Sequence, residues 1–256
     1  MELRKQEEIE YYEKKAQEWL KKKKWQSDFG RFDPSVLTSF KFCYEWLARN
    51  CKGKKVLDYG CGNRVHSIPL AKMGARVWGI DLSEKSLEIA KKRTKREGVE
   101  INFLRMDCEK MEFPDNFFDI IFDGDTFSSL DLNKVLPEIA RVLKSEGFLI
   151  GIETLGHNPF TNLKRKINKL TGKRTKWAAE HIFKMEDLKR AEKYFKKIET
   201  HFFHLISWIT FPILNLPGGK FMQKLFDALD KLLLKLSFLK KYSFKVVFIF
   251  SQPKKI

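Results

Sequence analysis

Near the N-terminus the apolar residues Ile9, Tyr12, Ala16, Trp19 and Leu20 recur at three- to four-residue intervals, which predicts an amphipathic helix over residues 2–24. Asp33-Pro34 marks a second helix start, an N-cap carboxylate followed by a ring that fixes φ. Val36, Leu37, Phe40, Tyr44 and Leu47 supply its buried stripe. The pattern then changes to short apolar runs. Lys55–Tyr59 reads as a strand that ends in Gly60-Cys61-Gly62, and a helix over 66–73 follows. A second strand, Arg76–Ile80, ends at Asp81, and Ser83 caps a helix over 84–97 that closes at Gly98. Ile101–Arg105 is a third strand ending near Asp107, and Phe118–Phe122 is a fourth. Val135, Leu136, Ile139, Ala140 and Leu143 mark a helix that stops at Gly147, before a fifth strand, Phe148–Ile152.

Strands alternating with helices imply an α/β fold, a mostly parallel sheet with helices on both faces. After residue 153 the alternation breaks. Residues 154–184 form a basic connection, followed by a helix around 185–195, a strand around 197–205 and a last strand, Phe244–Phe250. Between those two strands lies an insertion, 206–241, with an apolar stretch broken by Pro212 and Pro217. Phe221, Met222, Leu225, Phe226, Leu229, Leu232, Leu233 and Leu236 then share one broad helical face. The expected division is an N-terminal helical cover, 1–50, on a catalytic domain, 51–256.

Composition sharpens this picture in two places. The 256 residues carry a net charge of +17, but residues 1–156 hold 28 basic and 26 acidic residues, whereas 157–256 hold 22 and 7. The first part reads as an ordinary enzyme core, and the second faces something anionic. Within it, residues 161–177 carry seven Lys or Arg and no acid. The four cysteines, Cys43, Cys51, Cys61 and Cys108, form no CxxC pair, and the five histidines form no HxxxH pair. A zinc site or a disulfide framework is not expected, and the chain reads as cytoplasmic and reduced. No uncharged, proline-free stretch is long enough for a spanning helix, and the charged start does not read as a secretory signal.

The candidate chemistry lies at the strand ends. Ligands of open α/β sheets bind outside the carboxyl ends of the strands, where Asp58, Asp81, Asp107 and Asp123 fall. Gly60 and Gly62 let the backbone turn tightly and approach a ligand. Asp81 follows Gly60 by 21 residues, the spacing at which a carboxylate grips ribose hydroxyls. Both a nicotinamide dinucleotide and S-adenosylmethionine carry such a ribose. The dinucleotide needs a third glycine beside its pyrophosphate, and Gly60-Cys61-Gly62-Asn63-Arg64-Val65 lacks it. Several acids also suit a cationic sulfonium better than a pyrophosphate.

The segments VLDYGCGNRVHSIPLAKMGARVWGIDLSEKSLEIAKKR (56–93), INFLRMDCEKMEFPDNFFDIIFDGDTFSSL (101–130) and LPEIARVLKSEGFLIGIE (136–153) resemble class I S-adenosylmethionine-dependent methyltransferases. Within them the type-11 small-molecule branch, which includes quinone-biosynthesis methyltransferases, is the most similar. The resemblance implies a Rossmann-like sheet of seven mostly parallel strands with the last antiparallel, S-adenosyl-L-methionine as cofactor, and methyl transfer to an acceptor. It implies that Asp58, Gly60 and Gly62 line the methionine moiety, that Asp81 holds the ribose with Leu82 against the adenine, and that Asp107 accepts from the adenine amine beside Met106 and Cys108. It places Asp123 and Gly124 near the transferred methyl, with Tyr12 closing over the site. Arg64 stands where the family often has glycine. It would either crowd the methionine end or pair with its carboxylate.

A hydroxyl acceptor needs a base of near-neutral pKa. His157 and His181, at the two ends of the basic connection, are the candidates, with His66 after the glycine loop as a third. A small-molecule or lipid-linked acceptor is the expected partner. The Lys-rich, Phe/Leu-rich C-terminal part adds an anionic membrane surface, with the chain peripheral to it. A methyltransferase acting on RNA through the basic half ranks below this, as does a non-catalytic cofactor-binding scaffold. The Leu-rich face leaves monomer and homodimer both open.

Overall fold

The computed structural model describes residues 2–23, 37–63, 66–171 and 174–255. Two helices, α1 (Leu3–Lys21) and α2 (Thr38–Asn50), come first. The expected start at Asp33-Pro34 and the loop residue Arg64 lie outside the described residues. The alternating part then follows the hydrophobic pattern: β1 (Lys55–Tyr59), α3 (Ser67–Lys72), β2 (Arg76–Asp81), α4 (Glu84–Glu97), β3 (Asn102–Arg105), β4 (Phe118–Gly124), α5 (Leu132–Val142) and β5 (Leu143–Thr154). The expected caps of α4 are both present. The Ser83 hydroxyl accepts from the Ser86 N–H, and Gly98 is left-handed.

The strand order is β3-β2-β1-β4-β5-β7-β6, where β6 is Phe195–Phe203 and β7 is Lys245–Pro253. β1 to β5 pair in parallel, and β7 runs antiparallel to both β5 and β6. This is the seven-stranded arrangement expected. The order reverses between β1 and β4, so the ligand crevice opens at their carboxyl ends. Two apolar cores cover the faces. One joins Tyr59, Phe118, Phe127, Ile139 and Phe248, and the other joins Phe40, Leu47, Val56, Phe122 and Ile150.

Two expectations are corrected. The helix read as running to Gly147 ends at Val142, and β5 begins at once. Leu143 pairs with Phe118, and a register shift between Phe118 and Ile120 accommodates the early start. The basic connection is largely helical, with α6 (Pro159–Leu170) and α7 (Lys176–Glu180), ahead of α8 (Met185–Ala191). The insertion holds α9 (Gly219–Leu233) between two 3-10 turns.

Candidate active site

The turn after β1 is built from two left-handed glycines. Gly60 has φ +60°, and a Cβ there would lie 2.3 Å from the Thr126 methyl. Gly62 has φ +53°, and a Cβ there would point toward Asp81, 3.7 Å from Oδ2. The turn therefore keeps open the space beside the Asp81 carboxylate. Asp81 is fixed by backbone donors: Oδ2 accepts from Gly62 N–H at 2.9 Å and Oδ1 from Ser83 N–H at 2.8 Å. Held in this way, the carboxylate stands at the carboxyl end of β2 and lines the cleft described below.

Helix α1 lies across the ends of β2 and β3, held there by charge. Arg4 donates to both oxygens of Glu109 at 2.7 and 2.8 Å, and Lys5 to Asp107 at 2.6 Å. Further along, Glu13 accepts from the Ser83 hydroxyl at 2.9 Å and from Lys85 N–H at 3.0 Å. Burial alone would raise the Glu109 carboxyl, but the bonds from Arg4 and Lys5 outweigh it and hold it below its ordinary value. Desolvation would lower Lys5, but its bonds to Asp107 and then Glu109 outweigh it and raise it.

A cleft runs between α1 and the strand ends. Gly60, Gly62, Asp81, Leu82, Asp107 and Cys108 line one side, with Lys5, Ile9 and Tyr12 opposite. Seven of the ten expected cofactor residues, Tyr12 among them, thus share one cavity. The other three do not line it. Asp58 is buried and accepts from the Ser67 hydroxyl at the start of α3. Asp123 is fully buried and accepts from Thr126 N–H at 3.2 Å, which shapes the turn that follows. Met106 packs against the core.

The structure does not gather the candidate bases at the cleft. His157 and His181 are not among its lining residues. His157 Nε2 accepts from Met185 N–H at 3.2 Å, and the exposed His181 ring stacks on Trp177 with centroids 3.5 Å apart. His66 is a core histidine, bonded to the Tyr44 hydroxyl at 2.5 Å and stacked on Phe40. Gly124 leaves room for its ring, with the nearest imidazole carbon 3.1 Å from where a Cβ would be.

Sequence reasoning missed the α1 residues Arg4, Lys5 and Glu8, and also Asn63, Thr126 and Ser129. It also missed a buried charged group behind Asp125, which lines the cleft with φ +66°. Asp125 accepts from the Thr154 N–H and hydroxyl, both at 3.1 Å, and from the buried Lys245 ammonium. Glu153 lies fully buried beside them. Burial raises its carboxyl and Asp125 raises it further, while Lys245 opposes, leaving it at about 7. Glu153 and Lys245 were visible as single charges bordering the apolar runs Phe148–Ile152 and Val246–Phe250.

Comparison with known proteins agrees with this geometry. Residues 57–151 match the family model described as a methyltransferase domain. A ubiquinone biosynthesis O-methyltransferase of Rhizobium leguminosarum bv. trifolii is 29% identical over 56% of this chain and 60% of its own length. One from Bordetella avium is 34% identical over 45% and 49%. The chain thus spans about half to three fifths of the length of these relatives. A solved structure from Pyrococcus horikoshii superposes with a TM-score of 0.58 at 20% identity, covering 90% of this chain and 93% of its own. Phosphoethanolamine N-methyltransferase 2 of Haemonchus contortus, in complex with S-adenosyl-L-methionine, also gives 0.58 at 20%, covering 83% and 56%. These two show the shared fold. With the glycine turn, the strand order and the family match in agreement, residues 57–151 form a methyltransferase domain of the class I S-adenosylmethionine-dependent type.

Proposed function

We propose that this chain transfers a methyl group from S-adenosylmethionine to a small-molecule acceptor. One observation carries the reading: Asp81, held by the Gly62 and Ser83 N–H groups, lines one cleft together with Gly60, Gly62 and Asp107 at the carboxyl ends of neighbouring strands. A carboxylate at the end of the second strand, beside a glycine turn, suits a pair of neighbouring ribose hydroxyls. Leu82 and Ile9 offer apolar surface to a base, and Asp107 adds an acceptor at the same end. The cofactor supplies an activated methyl on a sulfonium. The chain's own work is to hold donor and acceptor in line and to exclude water. Helix α1 serves the exclusion, since it covers the cleft and is tied down by the Arg4–Glu109 and Lys5–Asp107 ion pairs. Incubating the chain with labelled cofactor and a cell extract, then separating lipid, RNA, protein and small-molecule fractions, tests the acceptor class. Label in the small-molecule or lipid fraction is expected, and label confined to RNA contradicts the reading.

A further feature favours an acceptor drawn from an anionic membrane surface. Helices α6 and α9 both turn polar residues inward and apolar residues outward. On α9, Gln223 and Asp230 are buried, and Asp230 accepts from Ile206 and Ser207 N–H, while Phe221, Leu225, Leu229 and Leu232 are exposed. On α6, Thr161 and Arg165 are buried, while Phe160, Leu163, Ile167 and Leu170 are 52–87% exposed. Phe160 meets Trp208 of the insertion at 5.9 Å, which joins the two regions. Apolar ridges on the strongly basic part of the chain suit an interface of lipid tails and anionic headgroups. Among the described residues no helix is long and apolar enough to cross a membrane. Sedimentation with phosphatidylglycerol vesicles, lost on Phe221→Glu/Leu225→Glu, is expected. Equal recovery from phosphatidylcholine vesicles removes the electrostatic part.

A further inference from the structure

The inward face of α6 is polar to an unusual degree, and one of its groups is a cation. Arg165 is 92% buried, since only 8% of it is exposed, and its Nη1 has no hydrogen-bond partner among the described residues. Burying a guanidinium without a partner is strongly unfavourable, so such a group is normally paired. The Asp125 and Glu153 carboxylates act on it through space and favour its charged form, and each also accepts hydrogen bonds from other groups. Asp125 accepts from Lys245 and Thr154, and Glu153 accepts from Phe127 N–H at 2.7 Å. The other nearby charge is a second cation, Arg174. It donates to the Ser128 hydroxyl at 2.8 Å and to the Ala178 carbonyl at 3.2 Å, both neutral acceptors. Desolvation lowers the Arg165 pKa and Arg174 lowers it further, while Asp125 and Glu153 oppose, leaving it at about 10, so the Arg165 guanidinium remains charged at neutral pH.

Other buried polar atoms lie along the same elements. Asn162 Oδ1 on α6, Trp177 Nε1 on α7 and Glu8 Oε2 on α1 also have no hydrogen-bond partner among the described residues. Glu8 lines the cofactor cleft, as does Ser129 beside Ser128. The elements that carry the two arginines therefore border the cleft on the side of Asp125 and Ser129, away from Asp81. Buried polar atoms left unpaired on these elements call for a partner that the described residues do not supply.

We propose that Arg165 and Arg174 bind an anionic group, a carboxylate or a phosphate, on the methyl acceptor. The inference rests on the methyltransferase reading, because it places the acceptor beside the donor cleft. A planar guanidinium matches either oxyanion in a two-bond fork, and a second guanidinium on the same anion removes the repulsion between the two cations. The acceptor then enters with its charged end beneath α6, and its methyl-accepting atom is directed toward the cleft.

The test uses the full chain saturated with S-adenosylhomocysteine. Inorganic phosphate and benzoate are titrated separately at constant ionic strength, with calorimetry and melting temperature as readouts. At least one anion binds saturably and raises the melting temperature. Arg165→Met weakens that binding tenfold or more and leaves S-adenosylhomocysteine affinity unchanged, while Arg165→Lys retains part of it. Arg174→Gln gives the same loss, and it decides the matter if Arg165→Met does not fold. The two probes distinguish a carboxylate site from a phosphate site. If neither anion binds, or if Arg165→Met and Arg174→Gln bind both like the parent chain, the proposal is overturned. Failure of the parent chain to bind S-adenosylhomocysteine would instead refute the donor reading, and the anion titration of the unloaded chain would still report on the arginines.

Discussion

Replacing Asp81 by alanine is the sharpest perturbation of the donor site. The parent carboxylate is held by Gly62 and Ser83 N–H and lines the cleft where the account places ribose. A hydrogen bond to a charged group contributes about 1.5–3 kcal/mol, and each 1.4 kcal/mol is about tenfold in affinity. Loss of one ribose bond therefore weakens S-adenosylhomocysteine binding by about 10- to 150-fold, and loss of both weakens it further. Asp81→Asn keeps a carbonyl oxygen for Gly62 N–H and removes the charge, so its loss is smaller. Titration calorimetry measures both, and the melting temperature of the unloaded variants separates lost affinity from lost fold. Unchanged affinity in a folded Asp81→Ala variant would refute the assignment of ribose to this carboxylate.

Glu109→Gln removes the charge that clasps Arg4 and Lys5, so amide exchange across residues 3–21 should quicken while the sheet stays protected. The lowered Glu109 carboxyl gives the clasp a direction in pH. Its contribution is present above the ordinary value of 4.5 and is lost as pH falls through the folded-state value, so parent α1 should loosen in acid and the variant should respond less. Glu153 acts oppositely. Its folded-state value of about 7 lies above the ordinary 4.5, so the folded chain holds the extra proton and stability declines as pH rises between them. Glu153→Gln should flatten that part of the chemical-denaturation profile by an amount on the order of 3 kcal/mol, and an unchanged slope would contradict the burial argument. Gly60→Ala meets the Thr126 methyl at 2.3 Å and forces alanine to φ +60°, so it should cost at least about 2 kcal/mol in melting or denaturant assays. Adding Thr126→Ser should recover part of that cost; a neutral Gly60→Ala would show that the turn is not tight.

The alternating part of the chain was readable because period and punctuation agree. Apolar runs of strand length end at Asp58, Asp81 and Asp107, and Ser83 and Gly98 bound α4 as their side chains dictate. The boundary at α5 and β5 was missed because Val142 and Leu143 suit either element, and pairing with Phe118 decided it. Gly60, Gly62, Asp81 and Asp107 meet in one cleft because a local pattern places them at neighbouring strand ends. Asp58 and Asp123 share that pattern, but they are buried and hydrogen-bonded to Ser67 and Thr126. Arg4 and Lys5 gave no signal, and Arg165 stood out only as one of seven cations in 161–177. Each is one basic residue among fifty, and contacts with distant parts of the chain separate them from solvated lysines. The histidines misled for the complementary reason. Their chemistry suits a base, but position along the chain does not show that His66 packs in the core or that His181 stacks on Trp177.

The claim beneath all of this is that the donor nucleoside lies at the carboxyl ends of β1, β2 and β3, under α1. Hydrogen–deuterium exchange with and without S-adenosylhomocysteine tests the location directly. The account predicts new protection at Gly60–Asn63, Asp81–Ser83 and Asp107–Cys108, together with α1. Protection confined to other parts of the chain, or no change at millimolar ligand, would contradict it.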